Sequence, residues 1–157
     1  MAAPRWLSAD EQRSWRAFLR AAHLVDAALD AQLQQDSGIS HIQYSILAML
    51  SEAPGRSLRM TDLADLTESS RSRLSHAVSR LEALGWVERR ACPTDKRGQL
   101  ATLTDAGFAV LDAAAPGHVE RVRAAVFDVL TPGEASTLGQ LLDRVASSLE
   151  RQQVPHG

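Results

Sequence analysis

Residues Arg59 to Gly107 read RMTDLADLTESSRSRLSHAVSRLEALGWVERRACPTDKRGQLATLTDAG, and they form the most informative stretch of the chain. Their pattern predicts a short helix, a turn, a longer helix with one apolar face, and then a two-stranded hairpin. In the longer helix the apolar residues recur at spacings of three and four, which places them on one side. They are Leu74, Ala77, Val78, Leu81 and Leu84. We expect this side to pack inward.

The opposite side of the longer helix combines small hydrogen-bonding residues with flanking arginines. It carries Ser72, Ser75, His76, Ser79, Arg71, Arg73 and Arg80. This surface suits a DNA major groove, because nothing bulky keeps the helix out and guanidinium groups can reach guanine edges or phosphates. Ser69 or Ser70 is the expected N-cap, where free amides could also meet a phosphate, and Gly85 the left-handed terminator. The alternative is that this side is simply the solvated face of an amphipathic helix.

The segment after this helix has the character of a β-hairpin with a basic tip. Residues 87–91 and 99–103 are short and strand-like, and Pro93, Asp95 and Gly98 supply turn chemistry between them. Lys96 and Arg97 make the tip basic. A basic loop beside a basic helix favours two contacts with one duplex. The predicted fold is therefore mainly α (α+β), a winged helix-turn-helix core with long terminal helices.

Several short motifs in this stretch resemble the MarR (multiple-antibiotic-resistance regulator) family. The matching pieces are Leu63-Ala64, Leu81-Glu82, Gly85-Trp86-Val87-Glu88-Arg89, Asp95-Lys96-Arg97 and Leu103-Thr104-Asp105-Ala106-Gly107. The resemblance implies that Asp95 braces the wing and that Arg97 reaches into the minor groove. It also implies a small effector, often an aromatic acid, bound where the dimerisation helices meet the DNA-binding lobe. Arg59 departs from the family, which usually has a Ser or Thr cap there.

Long helices with apolar seams flank this core at both ends of the chain. The first should begin at a Ser8/Glu11 capping box and run to about Gln35, and another should follow Thr104 with an interruption at Pro116-Gly117. The first seam is Trp15, Phe18, Ala22, Val25, Leu29 and Leu33, and the last is Ala135, Leu138, Leu142, Val145 and Leu149. A core of this size cannot bury both seams, so they predict an intertwined homodimer. The alternative is a monomer whose terminal helices fold back. We assign residues 1–39 and 108–157 to dimerisation and 40–107 to DNA binding.

Composition and charge agree with this interpretation. The chain has 157 residues, 45% of them hydrophobic, and a net charge of −2. From Ser69 to Gln99, however, seven basic residues stand against three acidic ones, so positive potential is concentrated at one end. The amino terminus lacks a secretory signal, and no apolar run is long enough to cross a membrane. We therefore expect a cytoplasmic protein.

Catalytic, metal-binding and cofactor sites find no support in the sequence. The histidines are scattered, and there is no Gly-rich phosphate loop or nucleophile elbow. Cys92 beside Arg89 and Arg90 could be a redox-sensing thiol, but without a second cysteine a small buried thiol is the better interpretation. Four residues with aromatic faces and polar handles are candidates to line an effector site. They are Trp15, His23, His41 and Tyr44.

The function predicted from the sequence is that of a dimeric regulator of transcription, acting as a repressor on double-stranded DNA. Two longer helices would enter successive major grooves of a pseudo-palindrome while the wings grip the adjacent minor grooves. A small aromatic or phenolic effector would change the spacing of the two lobes. The competing hypothesis is a winged helix that binds an acidic protein partner and has no affinity for DNA.

Overall fold

The computed structural model describes the backbone of residues 3–92 and 95–153, together with all of their side chains except those of residues 95–97 and 153. Its α-helices are α1 (Ala9–Ser37), α2 (His41–Glu52), α3 (Met60–Leu66), α4 (Arg71–Ala83), α5 (Asp105–Val122) and α6 (Pro132–Gln153). Its strands are β1 (Ser57–Arg59), β2 (Val87–Cys92) and β3 (Asp95–Leu103). A 3-10 turn at Pro54–Arg56 precedes β1, and a π-helical turn at Arg123–Phe127 follows α5.

The helix starts obey the capping rules that the sequence indicates. Ser8 and Glu11 form a capping box at α1, and Ser40 and Gln43 form another at α2. Helix α1 runs two residues beyond the expected Gln35 and ends at Gly38, which is left-handed with φ 67°. Arg59 occupies the N-cap position of α3 and provides no side-chain capping hydrogen bond. The start of α3 therefore differs from the Ser or Thr cap that the resemblance implies.

The described strands form one antiparallel sheet in the order β1-β3-β2. Strand β3 lies in the centre, where Ala101 pairs with Leu58 on one side and with Arg89 on the other. Both arms of the hairpin are longer than the sequence indicated, and the register shifts between Ala91 and Cys92. Cys92 is buried, as expected for a small structural thiol.

The hydrophobic core lies between α2, α3, α4, α5 and the sheet. Its fully buried large side chains include Ile46, Leu47, Leu50, Leu63, Leu74, Val78, Leu81 and Val87. The inward face of α4 is thus confirmed over most of its length. Leu84 is the exception: it is 53% exposed, and it is the C-cap residue just beyond the end of α4 at Ala83.

The first turn of α5 is locked to the corner between α4 and β2. The Thr104 amide donates to the carbonyl oxygen of Trp86 over 3.0 Å, and the Thr104 hydroxyl donates to that of Gly85 over 2.8 Å. Gly107 fits against this corner, since a Cβ on it would lie 2.2 Å from the Trp86 carbonyl oxygen. The glycine of the Leu103–Gly107 motif is therefore required by close packing.

The interruption expected at Pro116-Gly117 is wrong. Helix α5 continues through Pro116 to Val122, and the irregular turn comes later, at Arg123–Phe127. Proline removes one backbone hydrogen bond, but packing against α1 holds the helix together here. Gly117 permits this close approach, because a Cβ on it would lie 3.2 Å from the Gln32 side-chain nitrogen of α1.

Apolar residues of α1 and α6 remain exposed on the described protomer. Leu29 and Leu33 of the α1 seam are buried, whereas Trp15 is 52% exposed and stacks on Phe18 of the same helix. On α6, Val145 is 56% exposed, and this helix packs extensively against no other described element. Within the described residues, the first half of the α1 seam and the α6 seam are therefore left uncovered.

Candidate nucleic-acid interface

Helix α4 is positioned by its N-cap, its buried face and its C-terminal turn. The Ser70 hydroxyl accepts from the Arg73 amide over 3.2 Å, so Ser70 is the N-cap. At the other end Trp86 donates to the Leu81 carbonyl over 3.0 Å, and left-handed Gly85 donates to that of Glu82 over 2.9 Å. These two bonds form a Schellman motif, which ends the helix and directs the chain into β2.

The outward face of α4 presents most of the predicted residues to solvent. Ser70, Arg71, Ser72, Arg73, His76, Ser79 and Arg80 are exposed, and Ser75 is half-buried. The structure therefore brings these side chains together on one accessible ridge. The positive charge of this ridge comes from arginines at its start and near its end. Small hydroxyls and one imidazole lie between them.

One member of this face, Ser79, is already engaged within the protein. Its hydroxyl donates to the Ser75 carbonyl over 2.9 Å and accepts from the Arg89 guanidinium over 3.1 Å. A hydroxyl has only one proton to donate, and the Ser75 carbonyl already receives it. Toward a DNA base, Ser79 can therefore act only as a hydrogen-bond acceptor. This competition was not visible in the sequence, because Arg89 lies on another element.

Arg89 joins the wing to α4 through Glu82. Its Nη2 lies 2.7 Å and its Nε 2.9 Å from the Glu82 Oε2, and its backbone amide donates to Oε1 over 3.3 Å. Hydrogen bonding from the Arg89 side chain lowers the pKa of Glu82 from its ordinary value. The charge of Arg89 is thus neutralised locally. Its position makes it a brace between the wing and α4. The sequence marked Arg89 as a basic residue within a motif, but it did not indicate this role.

The wing tip lies outside the described side chains. The structure describes only the backbone of Asp95, Lys96 and Arg97, which lies in β3. Lys96 and Arg97 are predicted to touch DNA, and Asp95 is predicted to brace the wing. Their individual roles stay predictions.

The four candidate effector residues separate into two pairs. His41 and Tyr44 lie on α2 around His118 of α5, with the Tyr44 and His118 ring centres 4.1 Å apart. Trp15 and His23 lie on exposed turns of α1. The His41 Nδ1 lies 2.9 Å from the Asp26 carboxylate of α1, so this histidine also links α2 to α1.

Sequence reasoning missed His118 as part of this group. Nothing near it in the chain signals the role, because it meets Tyr44 and His41 only when α5 packs beside α2. Among the described residues no cluster of three or more His, Cys, Asp or Glu side chains could hold a metal ion. Nor does any described helix combine the length and the apolar character needed to cross a bilayer.

Comparison with known proteins agrees with this architecture. Residues 37–98 match the model of the MarR family. The chain is 32% identical to the HTH-type transcriptional regulator PecS of Dickeya dadantii over 83% of its own length and 78% of that protein.

Solved structures extend the similarity to nearly the whole chain. Sco3205, a MarR family transcriptional regulator from Streptomyces coelicolor determined in complex with DNA, is 54% identical, with a TM-score of 0.89 over 94% of this chain and 92% of that one. AbsC, a MarR family transcriptional regulator from the same organism, is 39% identical, with a TM-score of 0.86 over 94% and 99%. The chain thus belongs to the MarR family of winged helix-turn-helix transcriptional regulators.

Proposed function

We propose that this regulator binds double-stranded DNA as a homodimer, with α4 of each protomer in a major groove. The observation that carries the proposal is the ridge of exposed arginines and small polar residues on α4, which is held rigidly by a capped start and a Schellman end. Such a ridge can enter the groove closely and read base edges. The DNA complex of its relative Sco3205 supports the same use of this fold.

Individual side chains on the ridge would have different tasks. Arg71, Arg73 and Arg80 would contact phosphates or guanines, and Ser72 and His76 would read base edges. Lys96 and Arg97 at the wing tip would follow the adjacent minor groove, with Asp95 bracing the wing. Contacts to phosphate position the protein, whereas contacts to bases select the sequence.

Dimerisation is proposed from the uncovered seams of α1 and α6. A groove of about 600 Å³ at the start of α6 is lined by residues of that helix and its cap alone, including Leu138 and Leu141, so it is an open face rather than an enclosed site. Burying one large apolar side chain contributes about 1.5–3 kcal/mol. Because each protomer exposes several such residues, their burial favours association with a second copy of the chain. In this arrangement residues 1–39 and 108–157 dimerise, and residues 40–107 bind DNA.

The dimer sets the distance between two α4 helices, and hence the operator. We infer a pseudo-palindromic site whose half-sites are about one helical turn apart. Binding there would exclude the transcription machinery, so the protein would act as a repressor in the cytoplasm. A small aromatic or phenolic effector that alters the separation of the α4 helices would release the DNA without touching any base contact.

DNA retardation with the DNA upstream of the regulator's own gene tests the interface. Arg73→Ala should weaken binding to all sequences and reduce the slope of affinity against salt by about one unit if it meets one phosphate. His76→Ala should instead relax preference at particular base pairs. Arg144→Ala is the matched control, because it also removes one arginine but lies on the side of α6 away from its seam. It should leave the DNA affinity, its salt dependence and the base preference unchanged. An absence of retardation would favour the protein-interaction hypothesis.

Light scattering after size exclusion tests the dimer. Val145→Glu places a charge on the α6 seam and should shift the protein to a monomer with lower DNA affinity. Gln140→Glu adds the same charge on the opposite side of α6 and should leave the dimer intact. A native protein that is monomeric at micromolar concentration would contradict the proposal.

A further inference from the structure

Ser79 lies on the same line along α4 as Ser72 and His76. Spacings of four and then three residues bring these side chains to one side of the helix, and all three are exposed. This line is the part of the ridge that we expect to face base edges. The Ser79 hydroxyl makes two hydrogen bonds within the protein, one to Ser75 and one to Arg89. These bonds limit what Ser79 can offer to DNA.

The chemistry of the two partners fixes the direction of both bonds. The Ser75 carbonyl oxygen has no proton, so the Ser79 hydroxyl donates its only proton there, over 2.9 Å. The Arg89 guanidinium cannot accept a hydrogen bond, so its Nη2 donates to the Ser79 Oγ over 3.1 Å. One of the two lone pairs of Oγ is left. The exposed side of Ser79 is therefore a hydrogen-bond acceptor with no proton to give.

Arg89 is held in place, so the direction of these bonds is maintained. Its Nη2 carries two hydrogens and lies 2.7 Å from the Glu82 Oε2 as well as 3.1 Å from the Ser79 Oγ. Its Nε lies 2.9 Å from the same Glu82 oxygen, and the Arg89 side chain is only 24% exposed. Two charge-assisted contacts and partial burial restrict the guanidinium. Without Arg89, the Ser79 hydroxyl could rotate and direct its proton outward.

Base edges in the major groove differ in the group that they would present to such an acceptor. Adenine offers the N6 amino group and cytosine the N4 amino group, whereas guanine offers the acceptors N7 and O6 and thymine the acceptor O4. An acceptor can bond an amino group. Opposite O6 or O4, it leaves two oxygens facing each other with neither satisfied.

We propose that Ser79 determines specificity by selecting the exocyclic amino group of adenine or cytosine at one position of each half-site. Arg89 is the positioning residue that fixes the Ser79 hydroxyl for this task, in addition to joining the wing to α4. The inference rests on the proposed function, because it requires α4 to lie in a major groove. One hydrogen bond of this kind should change the DNA affinity about fivefold.

Selection from duplexes with randomised half-sites locates the position that Ser79 reads. We expect Ser79→Ala to lose the base preference of the native protein at one position of each half-site and to keep it elsewhere. Ser79→Thr should retain that preference, because a threonine hydroxyl in a helix also bonds the carbonyl one turn earlier. Ser72→Ala is the matched control, since it removes a hydroxyl from the same line of α4 and should alter a different position.

Base analogues at that position then identify the group that is read, because selection alone does not reveal which strand Ser79 contacts. Purine in place of adenine, or 2-pyrimidinone in place of cytosine, removes the amino group. A 7-deazapurine in the same base pair removes the N7 acceptor. Loss of the amino group should weaken binding about fivefold more in the native protein than in Ser79→Ala, whereas loss of N7 should weaken both proteins equally.

Replacing Arg89 tests its positioning role separately. Arg89→Met should weaken binding to every duplex, because the brace is lost, and it should also reduce the excess loss caused by removing the amino group. Arg90→Met is the matched control on the neighbouring residue of β2, and it should leave that excess loss intact. An undiminished excess loss in Arg89→Met would overturn the role assigned to Arg89.

Three results would overturn the role of Ser79. These are a uniform loss of affinity at all positions in Ser79→Ala, an equal effect of amino-group removal on both proteins, and an excess loss that follows N7 instead. If the native protein retards the selected duplexes while any of these results holds, only this inference fails. If the native protein retards no duplex, the proposed function fails and this inference fails with it.

Discussion

Replacing Gly107 with alanine should be among the most damaging single-methyl changes in this protein. The new Cβ would lie 2.2 Å from the Trp86 carbonyl oxygen, 2.7 Å from the Leu103 Cδ1 and 2.9 Å from the Trp86 carbonyl carbon. Two of these three atoms are backbone, so they cannot rotate away as a flexible side chain would. Either α5 or the corner between α4 and β2 must shift by about 1 Å to restore ordinary contact distances.

The cost follows from what that shift disrupts. Overpacking a well-filled site costs about 1–3 kcal/mol. The 3.0 Å bond from the Thr104 amide to the Trp86 carbonyl would also be lost or lengthened, for about 0.5–1.5 kcal/mol more. We therefore expect Gly107→Ala to lower the free energy of unfolding by roughly 2–4 kcal/mol. For a chain of this length that corresponds to a fall in melting temperature of roughly 5–15 °C.

Urea and thermal unfolding followed by circular dichroism measure the effect. Protein concentration must be held constant, because dimerisation makes apparent stability concentration-dependent. Gly133→Ala is the matched control: no atom lies within 4 Å of its added Cβ, and the residue is in the first turn of α6. It should be neutral or stabilising by up to about 1 kcal/mol. If Gly107→Ala unfolds within about 0.5 kcal/mol of the native protein, the close packing inferred for this corner does not constrain the fold.

Three further predictions concern the brace between the wing and α4, the partly buried His118 and the N-cap of α4. Breaking the brace with Arg89→Gln or with Glu82→Gln should weaken operator binding roughly tenfold. The double variant should bind no more weakly than either single variant, because all three break the same brace. Tighter binding by Glu82→Gln would show that net charge, rather than the brace, determines DNA affinity. Because folding lowers the pKa of His118, the unfolded chain takes up a proton there before the folded chain does as the pH falls. The protein should therefore lose stability at pH values below about 6.5, measured as a drop in the urea midpoint between pH 7.5 and 5.5. His118→Phe should reduce this drop, and an equal drop in both proteins would assign it to other groups. Ser70→Ala removes the N-cap of α4 and should cost about 1 kcal/mol in chemical denaturation, whereas Ser69→Ala should cost less.

Local sequence rules determined much of this fold. Capping boxes at Ser8 and Ser40, the left-handed glycine at Gly85 and the spacing of buried residues in α4 each depend on neighbours a few positions away. The outward ridge of α4 could be listed from periodicity, because residues opposite a buried face must point to solvent. The hairpin of β2 and β3 also follows from local propensity and turn chemistry.

Other features depend on which elements meet in space, and periodicity carries no such information. Arg89 could not be distinguished from a DNA-facing cation until β2 brought it beside Glu82 and Ser79. Pro116 looked like a helix break because propensity describes an isolated helix, whereas α1 supports α5 through that position. His118 joined His41 and Tyr44 only through the packing of α5 beside α2. The chain therefore specifies its helices, caps and ridge locally. The Arg89 brace and the cluster of His118 with His41 and Tyr44 arise instead from contacts between distant residues, and only three-dimensional packing selects those partners.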